Sequence, residues 1–313
     1  MPENRTLQDG GDWGRRWWGF LRERFPPTSS VPMILVFALA NAGVALRLSG
    51  GSSSLLRGLG VATISLLFFF RLRCFDEIKD YETDCCHHPM RPLARGLLTR
   101  SHVKRMCWAL AFCELALAGL FGWKALVTHT VTVGYSFLMY REFFIGRWLR
   151  PRLTLYAVTH TLVSMLMGWS ISATVCDAVY GRFPPGLLRF GLVNWMLFNV
   201  FEFARKTFAP GEEIQGSDSY SLRFGPRAAL VLCLSQVAAA VFILRGLPVA
   251  ALATRNGLSG WVPHAALALL PLAGAIVHAV QLSHWSARLY RGASLAYQFL
   301  FYALILFQSG VRG

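Results

Sequence analysis

The sequence predicts an all-α integral membrane protein in which nine transmembrane helices form one bundle. Of its 313 residues, 54% are hydrophobic and only 15% are charged, whereas about a quarter of the residues in a soluble domain carry charge. The apolar residues stand in long blocks, as a membrane-spanning helix of about 20 apolar residues requires. The charged residues are concentrated in the segments between these blocks.

Nine apolar blocks are long enough to cross a membrane. They cover approximately residues 31–49, 55–75, 103–122, 125–144, 152–175, 185–207, 226–245, 262–283 and 291–309. Two of the connections, residues 76–102 and 208–225, are long and contain most of the acidic residues outside the N-terminal tail. Because both follow even-numbered helices, we expect both on the same side of the membrane.

Residues 1–30 form a separate polar segment ahead of the transmembrane domain, which we assign to residues 31–313. Tryptophan and arginine alternate in this segment, and Pro26 and Pro27 end it. It lacks the apolar core of a signal peptide. The pattern is typical of an amphipathic helix that lies on an anionic leaflet.

The distribution of positive charge predicts the orientation. The formal net charge is +15, but no segment forms a soluble basic domain, so we expect no nucleic-acid partner. With the N-terminus in the cytoplasm, 23 of the 31 lysine and arginine residues lie on the cytoplasmic side, which is the positive-inside pattern. The two long acidic loops are then cytoplasmic, in what we expect to be a bacterial cell membrane. The oligomeric state is not predicted.

The most informative stretch is residues 68–96, where an apolar block ends in acidic residues. Asp76, Asp80 and Asp84 recur every four residues, so they share one helical face. Their mutual repulsion is relieved if a cation lies between them, although acidic residues at a helix end can also be a solvated cap. Basic side chains follow at Arg91 and Arg95. Carboxylates for Mg²⁺ beside cations for phosphate indicate a diphosphate site.

A second possible metal cluster, Cys85-Cys86-His87-His88, is less convincing. Adjacent ligands point to different sides of a helix, and the spacing is not that of a zinc site. The seven cysteines also show no disulfide-like spacing.

The stretch from Asp76 to Pro92 resembles the first motif of the UbiA superfamily of intramembrane prenyltransferases. That motif is an Asn-Asp pair followed by two aspartates at four-residue steps and then Pro-x-Arg-Pro. Asp76 stands at the usual Asn, Glu77 stands at the first Asp, and the remaining positions match directly at Asp80, Asp84, Pro89, Arg91 and Pro92. The resemblance implies a helical bundle with a central cavity that is open to lipid and capped by cytoplasmic loops.

The second motif of that family is less regular in this chain. Glu212 and Gly216 match it, while Phe208 occupies one expected aspartate position. Carboxylates nearby, at Glu202, Glu213 and Asp218, offer compensation. We therefore expect a divergent branch of the family.

The resemblance implies a set of site residues and Mg²⁺ as the cofactor. The expected catalytic carboxylates are Asp76, Asp80, Asp84 and Glu212. The expected metal ligands are Asp76, Glu77, Asp80, Asp84, Glu202, Glu212 and Glu213. The expected diphosphate ligands are Lys79, Arg91, Arg141, Lys206 and Tyr135. For Lys79, Lys206 and Tyr135, an ion pair or ordinary packing is an equally good interpretation.

Aromatic residues near the acidic motif are candidates for a prenyl pocket. They are Phe69 and Phe70, with Phe68 beside them, and Asn199 and Phe203 in the sixth block. Such rings can shield a carbocation through their quadrupoles, but they are more often packing residues.

Three functions remain open from the sequence. The first is Mg²⁺-dependent transfer of a prenyl group from an isoprenyl diphosphate to a small acceptor, with an aromatic acceptor expected. The second is a terpene cyclase on the same scaffold, and the third is a transporter or lipid-binding protein. Glu114 lies near mid-membrane, where a carboxylate is a functional candidate or a partner of a neighbouring helix. His129, His278 and His284 are candidate bases, each with a buried structural role as the alternative.

Overall fold

The computed structural model describes residues 13–51, 54–177, 182–213, 218–247 and 260–310. Within these ranges the chain is helical and contains no strand. The helices are α1 Trp13–Arg24, α2 Pro27–Ser49, α3 Leu55–Lys79, α4 Tyr81–His87, α5 Arg100–Leu120, α6 Trp123–Tyr140, α7 Gly146–Leu149, α8 Leu153–Thr161, α9 Val163–Cys176, α10 Pro185–Arg205, α11 Tyr220–Phe224, α12 Pro226–Arg245, α13 Val262–Leu267, α14 Leu269–Gln281 and α15 His284–Gly310. Short 3₁₀ turns cover Glu142–Phe144 and Pro210–Glu212.

Each of the nine predicted apolar blocks coincides with one helix or with a consecutive pair of helices. In the described ranges, six of these are long and apolar enough to cross a membrane, namely α2, α3, α10, α12, α13 together with α14, and α15. The helix α5 is more polar because it begins with basic residues and contains Glu114. The chain is therefore an all-helical membrane protein, and the number of nine spans stays a prediction.

Two of the predicted helices are interrupted, and each interruption has a local cause. Pro271 in α14 lacks an amide hydrogen and its ring crowds the preceding turn, which accounts for the break after Leu267. Between α8 and α9, the Tyr135 hydroxyl donates a hydrogen bond of 2.7 Å to the carbonyl of Thr159. In a continuous helix that carbonyl would accept from the amide of Val163.

The long helices pack in chain order around a closed ring. Each of α2, α3, α5, α6, α9, α10, α12, α14 and α15 contacts the next, and α15 returns to α2. Inside the ring, α2 and α10 also contact each other, and a continuous apolar core fills the space between helices. Because the helices alternate in direction, α3 and α10 end at the same face of the bundle.

The N-terminal helix α1 is docked on the protein itself. Its Phe20 is fully buried and packs, together with Trp17, against the ring of Phe70 on α3. A second apolar cluster joins this contact to α5 through Cys74 and Cys107. The predicted amphipathic helix therefore uses its apolar face for protein contacts, while Trp18 remains exposed.

Candidate active site

The first acidic motif lies at the end of α3 and in α4, and its carboxylates have different surroundings. Asp76 and Asp80 are exposed, whereas Glu77 and Asp84 are buried. Asp76 makes one ion pair, at 3.7 Å from Arg73, and Asp80 has no ion pair within the described part of the chain. Two carboxylates one helical turn apart are thus open to a ligand.

Asp84 and Arg91, which the motif places seven residues apart, bind each other. A guanidinium nitrogen of Arg91 donates to Oδ1 of Asp84. This pair fixes the turn after α4, and Arg95 fixes the same turn to α1 through two hydrogen bonds to Glu23. The predicted metal ligand and the predicted diphosphate ligand therefore satisfy each other here.

The end of α10 brings a second group of charges to the same face. Glu202 binds Arg205 at 2.6 Å and Lys206 at 3.0 Å, so the helical ion pair considered for Lys206 is present. The charge of Arg205 also acts on Asp76 of α3. The guanidinium of Arg205 is therefore paired with Glu202 and near enough to Asp76 for the two charges to interact.

Glu212 is held by α15. Its two carboxylate oxygens accept hydrogen bonds of 2.9 Å from Arg291, and His284 lies at 3.3 Å. Hydrogen bonding from Arg291 lowers the pKa of Glu212 to about 2. This bidentate pair closes the segment after α10 onto the last helix.

The next residues of the second motif are placed less completely. Oε2 of Glu213 accepts from the Ser219 hydroxyl at 2.7 Å, while Oε1 is buried with no hydrogen-bond partner among the described residues. The charge of Asp218 acts on Arg150, the residue that follows α7. Gly216 lies outside the described residues, and Phe208 packs under the guanidinium of Arg291.

Lys79 makes its contacts with α8 and with the turn after α6. Its ammonium donates a hydrogen bond of 2.7 Å to the hydroxyl oxygen of Tyr156 on α8 and lies 3.8 Å from Glu142. The charges of Asp76 and Asp80 act on the same tyrosine. Tyr156 therefore lies at the edge of the acidic motif, with its oxygen polarised by an ammonium.

The turn that carries Glu142 has a strained backbone. Glu142, Phe143 and Phe144 have φ values of 51°, 54° and 60°, a left-handed conformation that is costly for residues with a side chain. Glu142 is fixed there by a 2.8 Å hydrogen bond from Arg150, which raises the pKa of Arg150. A Cβ on Gly146 would collide with the Glu142 carboxylate, so a larger residue here would have to displace that side chain.

The remaining predicted diphosphate ligands are Arg141 and Tyr135. Arg141 is exposed at the end of α6, with its guanidinium 5.9 Å from the centre of the Tyr140 ring. Tyr135 donates its hydroxyl hydrogen to Thr159, and its ring contacts Phe143. Arg141 is thus accessible at this face, whereas Tyr135 serves the connection between α6 and α8.

A small, partly open apolar cavity of about 120 Å³ lies between α2, α3, α10 and α15. Its lining includes Phe69 of α3, Phe37 of α2 and Phe198 of α10, and the Phe69 and Phe198 rings stack with centres 5.8 Å apart. Phe69 precedes Asp76 by seven residues, or two helical turns, so both are on one face of α3. The cavity thus lies on the side of α3 that carries the open carboxylates.

The other three predicted pocket residues do not line this cavity. Phe70 faces α1. Asn199 accepts a hydrogen bond from Thr161 and donates one of 3.0 Å to Gln236. Phe203 is fully buried and packs on the ring of Tyr220 at 4.9 Å.

The candidate bases and Glu114, the carboxylate predicted near mid-membrane, have partners within the protein. Glu114 forms two hydrogen bonds of 2.8 Å with Arg71, and His129 lies 3.4 Å from it. His278 is hydrogen-bonded to Ser286 at 2.9 Å. His284 is exposed beside Glu212.

Across the described ranges, no three His, Cys, Asp or Glu side chains converge on one point as a preformed metal site. This includes Cys85, Cys86, His87 and His88, all of which are exposed. Mg²⁺ nevertheless needs only one or two carboxylates when substrate phosphates and waters complete its shell. The open oxygens of Asp76 and Asp80 fit that requirement.

Comparison with known protein families identifies the family of this chain. The family model of the UbiA prenyltransferase family matches residues 31–305. This chain belongs to the UbiA prenyltransferase family. A comparison with curated protein sequences gives no significant match.

Two solved structures share the UbiA fold with this chain. One, described in work on the biosynthesis of digeranylgeranylglyceryl phosphate synthase in membranes, has a TM-score of 0.59 and 12% identity over 94% of this chain and 99% of its own. The other, an apo UbiA homologue from Aeropyrum pernix K1, has a TM-score of 0.57 and 17% identity over 85% and 97%. At these identities the likeness shows the fold alone.

Three residues at this UbiA site were missed by the sequence analysis, namely Tyr156, Glu142 and Arg205. Tyr156 lies in an apolar block, where nothing in the spacing distinguishes it from a packing residue. Glu142 did carry a signal, because it is a carboxylate within the fourth apolar block, as Glu114 is within the third. Arg205 did carry a signal, because it follows Glu202 by three residues at a helix end.

Proposed function

We propose that this protein transfers a prenyl group from an isoprenyl diphosphate to a small acceptor in an Mg²⁺-dependent reaction. The observation that carries the proposal is the pair of open carboxylates, Asp76 and Asp80, one turn apart and across from the cationic end of α10. Membership in a family of prenyltransferases supports the reaction type.

In such a reaction the bond between the allylic carbon and the diphosphate oxygen breaks, and the electron pair leaves with diphosphate. The acceptor forms a new bond to that carbon and gives up a proton. The barrier comes mainly from negative charge that accumulates on the leaving oxygens. When bound, Mg²⁺ supplies Lewis-acid neutralisation of this charge. Asp76 and Asp80 would hold it, with Glu202 and Glu213 as candidates on the opposite segment.

Fixed cationic groups around the carboxylates would orient the diphosphate. The positive charge of Arg205 acts on Asp76, and Arg141 is exposed at the same face of the bundle. Lys79 gives its hydrogen bond to the oxygen of Tyr156, so the hydroxyl hydrogen of Tyr156 is left to donate to a substrate oxygen. We therefore propose Tyr156 as a diphosphate or acceptor ligand.

The aromatic cavity would hold the start of the prenyl chain. Phe69 is two turns from Asp76 on one face of α3, so a chain bound to the diphosphate can extend towards Phe69 and Phe198. The cavity, at about 120 Å³, is small for a prenyl chain, and one of its lining side chains, Gln298, is polar. We propose that it opens further when a longer chain enters.

The membrane arrangement is part of the same proposal. We propose nine spans within residues 31–313, with α1 and the ends of α3 and α10 in the cytoplasm. The excess of lysine and arginine on that side supports this orientation. A water-soluble diphosphate and a lipid-soluble tail then meet at one membrane face.

Product analysis tests the proposal. Purified protein is incubated with Mg²⁺ and geranyl, farnesyl or geranylgeranyl diphosphate, with and without a lipid and metabolite extract as the source of acceptor. We expect diphosphate release and a prenylated product that both require the extract. Asp80→Asn should abolish them, while Glu82→Gln, at a carboxylate that is 87% exposed, should not.

The same experiment separates the alternatives. A cyclic hydrocarbon formed without the extract would favour a terpene cyclase. Absence of diphosphate release with every substrate, in protein that remains folded, would contradict both enzymatic functions and favour a transporter or lipid-binding protein.

A further inference from the structure

Adjacent carboxylates of the first motif face in different directions, and the aromatic residues seven positions earlier show which way. Phe69, two turns before Asp76, lines the aromatic cavity with Phe37 and Phe198. Phe70, two turns before Glu77, packs against Trp17, Phe20 and Phe25. Seven residues make almost two full turns. Asp76 therefore lies on the same face of α3 as Phe69, and Glu77 lies on the same face as Phe70, which α1 covers.

The polar contacts agree with these aromatic contacts. Oε1 of Glu77 accepts hydrogen bonds from Arg24 of α1 and, at 2.9 Å, from Arg73. Its side chain is 1% exposed, against 57% for Asp76. A metal ion would have to displace two guanidinium groups to reach this carboxylate, whereas among the described residues Asp76 has one ion pair, the longer 3.7 Å contact with Arg73.

The second oxygen of Glu77 does not change this comparison. Oε2 is buried and has no hydrogen-bond partner among the described residues. Cys74, three residues before Glu77 on α3, packs in a buried apolar cluster with Cys107 of α5 and Phe20 of α1. This side of α3 is therefore covered by α1 and α5, whereas the aromatic cavity lies on the side of Phe69.

We infer that the metal-facing carboxylate at the head of the motif has moved by one residue, to Asp76, and that Glu77 anchors the N-terminal helix through Arg24. The inference rests on the proposed function, because it assigns roles within the same site. In the resembling family the position of Asp76 is usually Asn and the position of Glu77 is Asp. This chain carries a carboxylate at the first position and buries the second.

The test separates metal binding from anchoring in the full-length protein in detergent. The first measurement is Mn²⁺ affinity by electron paramagnetic resonance in the presence of inorganic pyrophosphate. The second is hydrogen–deuterium exchange of the α1 amides. Asp76→Asn should weaken Mn²⁺ binding about tenfold or more, because one of few protein oxygens is lost, and should leave α1 protected.

Glu77→Gln should behave in the opposite way. We expect its Mn²⁺ affinity to stay within about threefold of the wild-type value, less than the effect of losing a ligand, while exchange in α1 rises. Arg24→Gln should raise exchange in the same way, and Arg22→Gln, which removes an exposed charge from the same helix, should not. If Glu77→Gln does not fold, Arg24→Gln decides, since it leaves the Glu77 carboxylate in place.

The outcomes that overturn the inference differ from those that overturn the function. Loss of Mn²⁺ affinity in Glu77→Gln but not in Asp76→Asn, with α1 protected in both, would overturn the assignment and leave the proposed function standing. Equal losses in the two variants would also overturn it. Failure of the wild-type protein to bind Mn²⁺ with pyrophosphate, or insensitivity to Asp76→Asn, Glu77→Gln and Asp80→Asn alike, would remove the proposed function and the inference together.

Discussion

Lys79 donates a hydrogen bond of 2.7 Å from its ammonium group to the hydroxyl oxygen of Tyr156, 77 residues later in the chain. The contact joins the acidic end of α3 to α8 and orients both side chains beside Asp76 and Asp80. A phenol whose oxygen accepts from an ammonium is a stronger donor through its own hydrogen. This relationship gives the most direct test of the site.

Tyr156→Phe should lower the rate of diphosphate release by about 10- to 100-fold, the usual effect of removing one donor to a developing anion. The fold should be retained, because the ring and its stacking on His160 remain. Tyr297→Phe is the matched control, since the Tyr297 hydroxyl is buried and has no hydrogen-bond partner in the part of the chain that the structure describes. Equal rates in the two variants would exclude Tyr156 from substrate binding.

Gly146→Ala should disrupt the strained turn between α6 and α7, because its Cβ would collide with the carboxylate of Glu142. The displaced carboxylate would release Arg150 and the contact with Lys79. We expect lower activity and a lower apparent melting temperature in scanning fluorimetry.

The control for this substitution is Gly134→Ala in α6, where a Cβ would meet no atom within 4 Å. Alanine is favoured over glycine by about 1 kcal/mol within a helix, so this variant should be at least as stable as the wild-type protein. A Gly146→Ala variant of unchanged stability and activity would contradict the role given to Glu142.

Glu114→Gln should destabilise the protein by about 3–5 kcal/mol, the typical cost of leaving a buried charge without its partner. The guanidinium of Arg71 is fully buried and also contacts the rings of Phe68, Phe75 and Phe137. The double variant Arg71→Met/Glu114→Leu should recover most of the stability. Thermal unfolding measures the stability of the single and the double variant. If Glu114 instead had a functional role, the double variant would lose activity without a change in stability.

The ion pair between Glu212 and Arg291 should add stability that depends on pH. The pKa of Glu212 is lowered from 4.5 to about 2 by hydrogen bonding from Arg291. Its contribution is therefore complete above pH 4.5 and is lost as pH falls from 4.5 towards 2. Allowing for solvent screening, we expect about 1–2 kcal/mol. The apparent melting temperature of Glu212→Gln should fall less than that of the wild-type protein between pH 6 and pH 3.

Phe198→Ala should enlarge the aromatic cavity and shift the preference towards longer prenyl diphosphates. The ring of Phe198 stacks on Phe69 and contacts Phe37, so its removal opens the space below the carboxylates. Competition between geranyl and geranylgeranyl diphosphate measures the preference. Phe242→Ala, at an exposed position on α12, should leave it unchanged, and an unchanged preference in Phe198→Ala would place the chain elsewhere.

The sequence by itself determined the class of protein, the positions of the helices and the family to which the chain belongs. These are local properties: a long apolar block is a membrane helix wherever it packs, and Asp76 and Asp80 share a face because of helical periodicity alone. The resemblance carried by residues 76–92 is likewise confirmed by the family match over residues 31–305.

Only the tertiary structure decided which of the candidate residues meet. Glu77 and Phe70 are as polar and as aromatic as Asp76 and Phe69, but α1 covers Glu77 and Phe70. Phe69 instead lines the cavity, and Asp76 remains exposed. Glu114 finds its partner on another helix, 43 residues away. The physical reason is that spacing along a helix fixes which residues lie together, whereas the neighbour that each face receives depends on how distant helices pack.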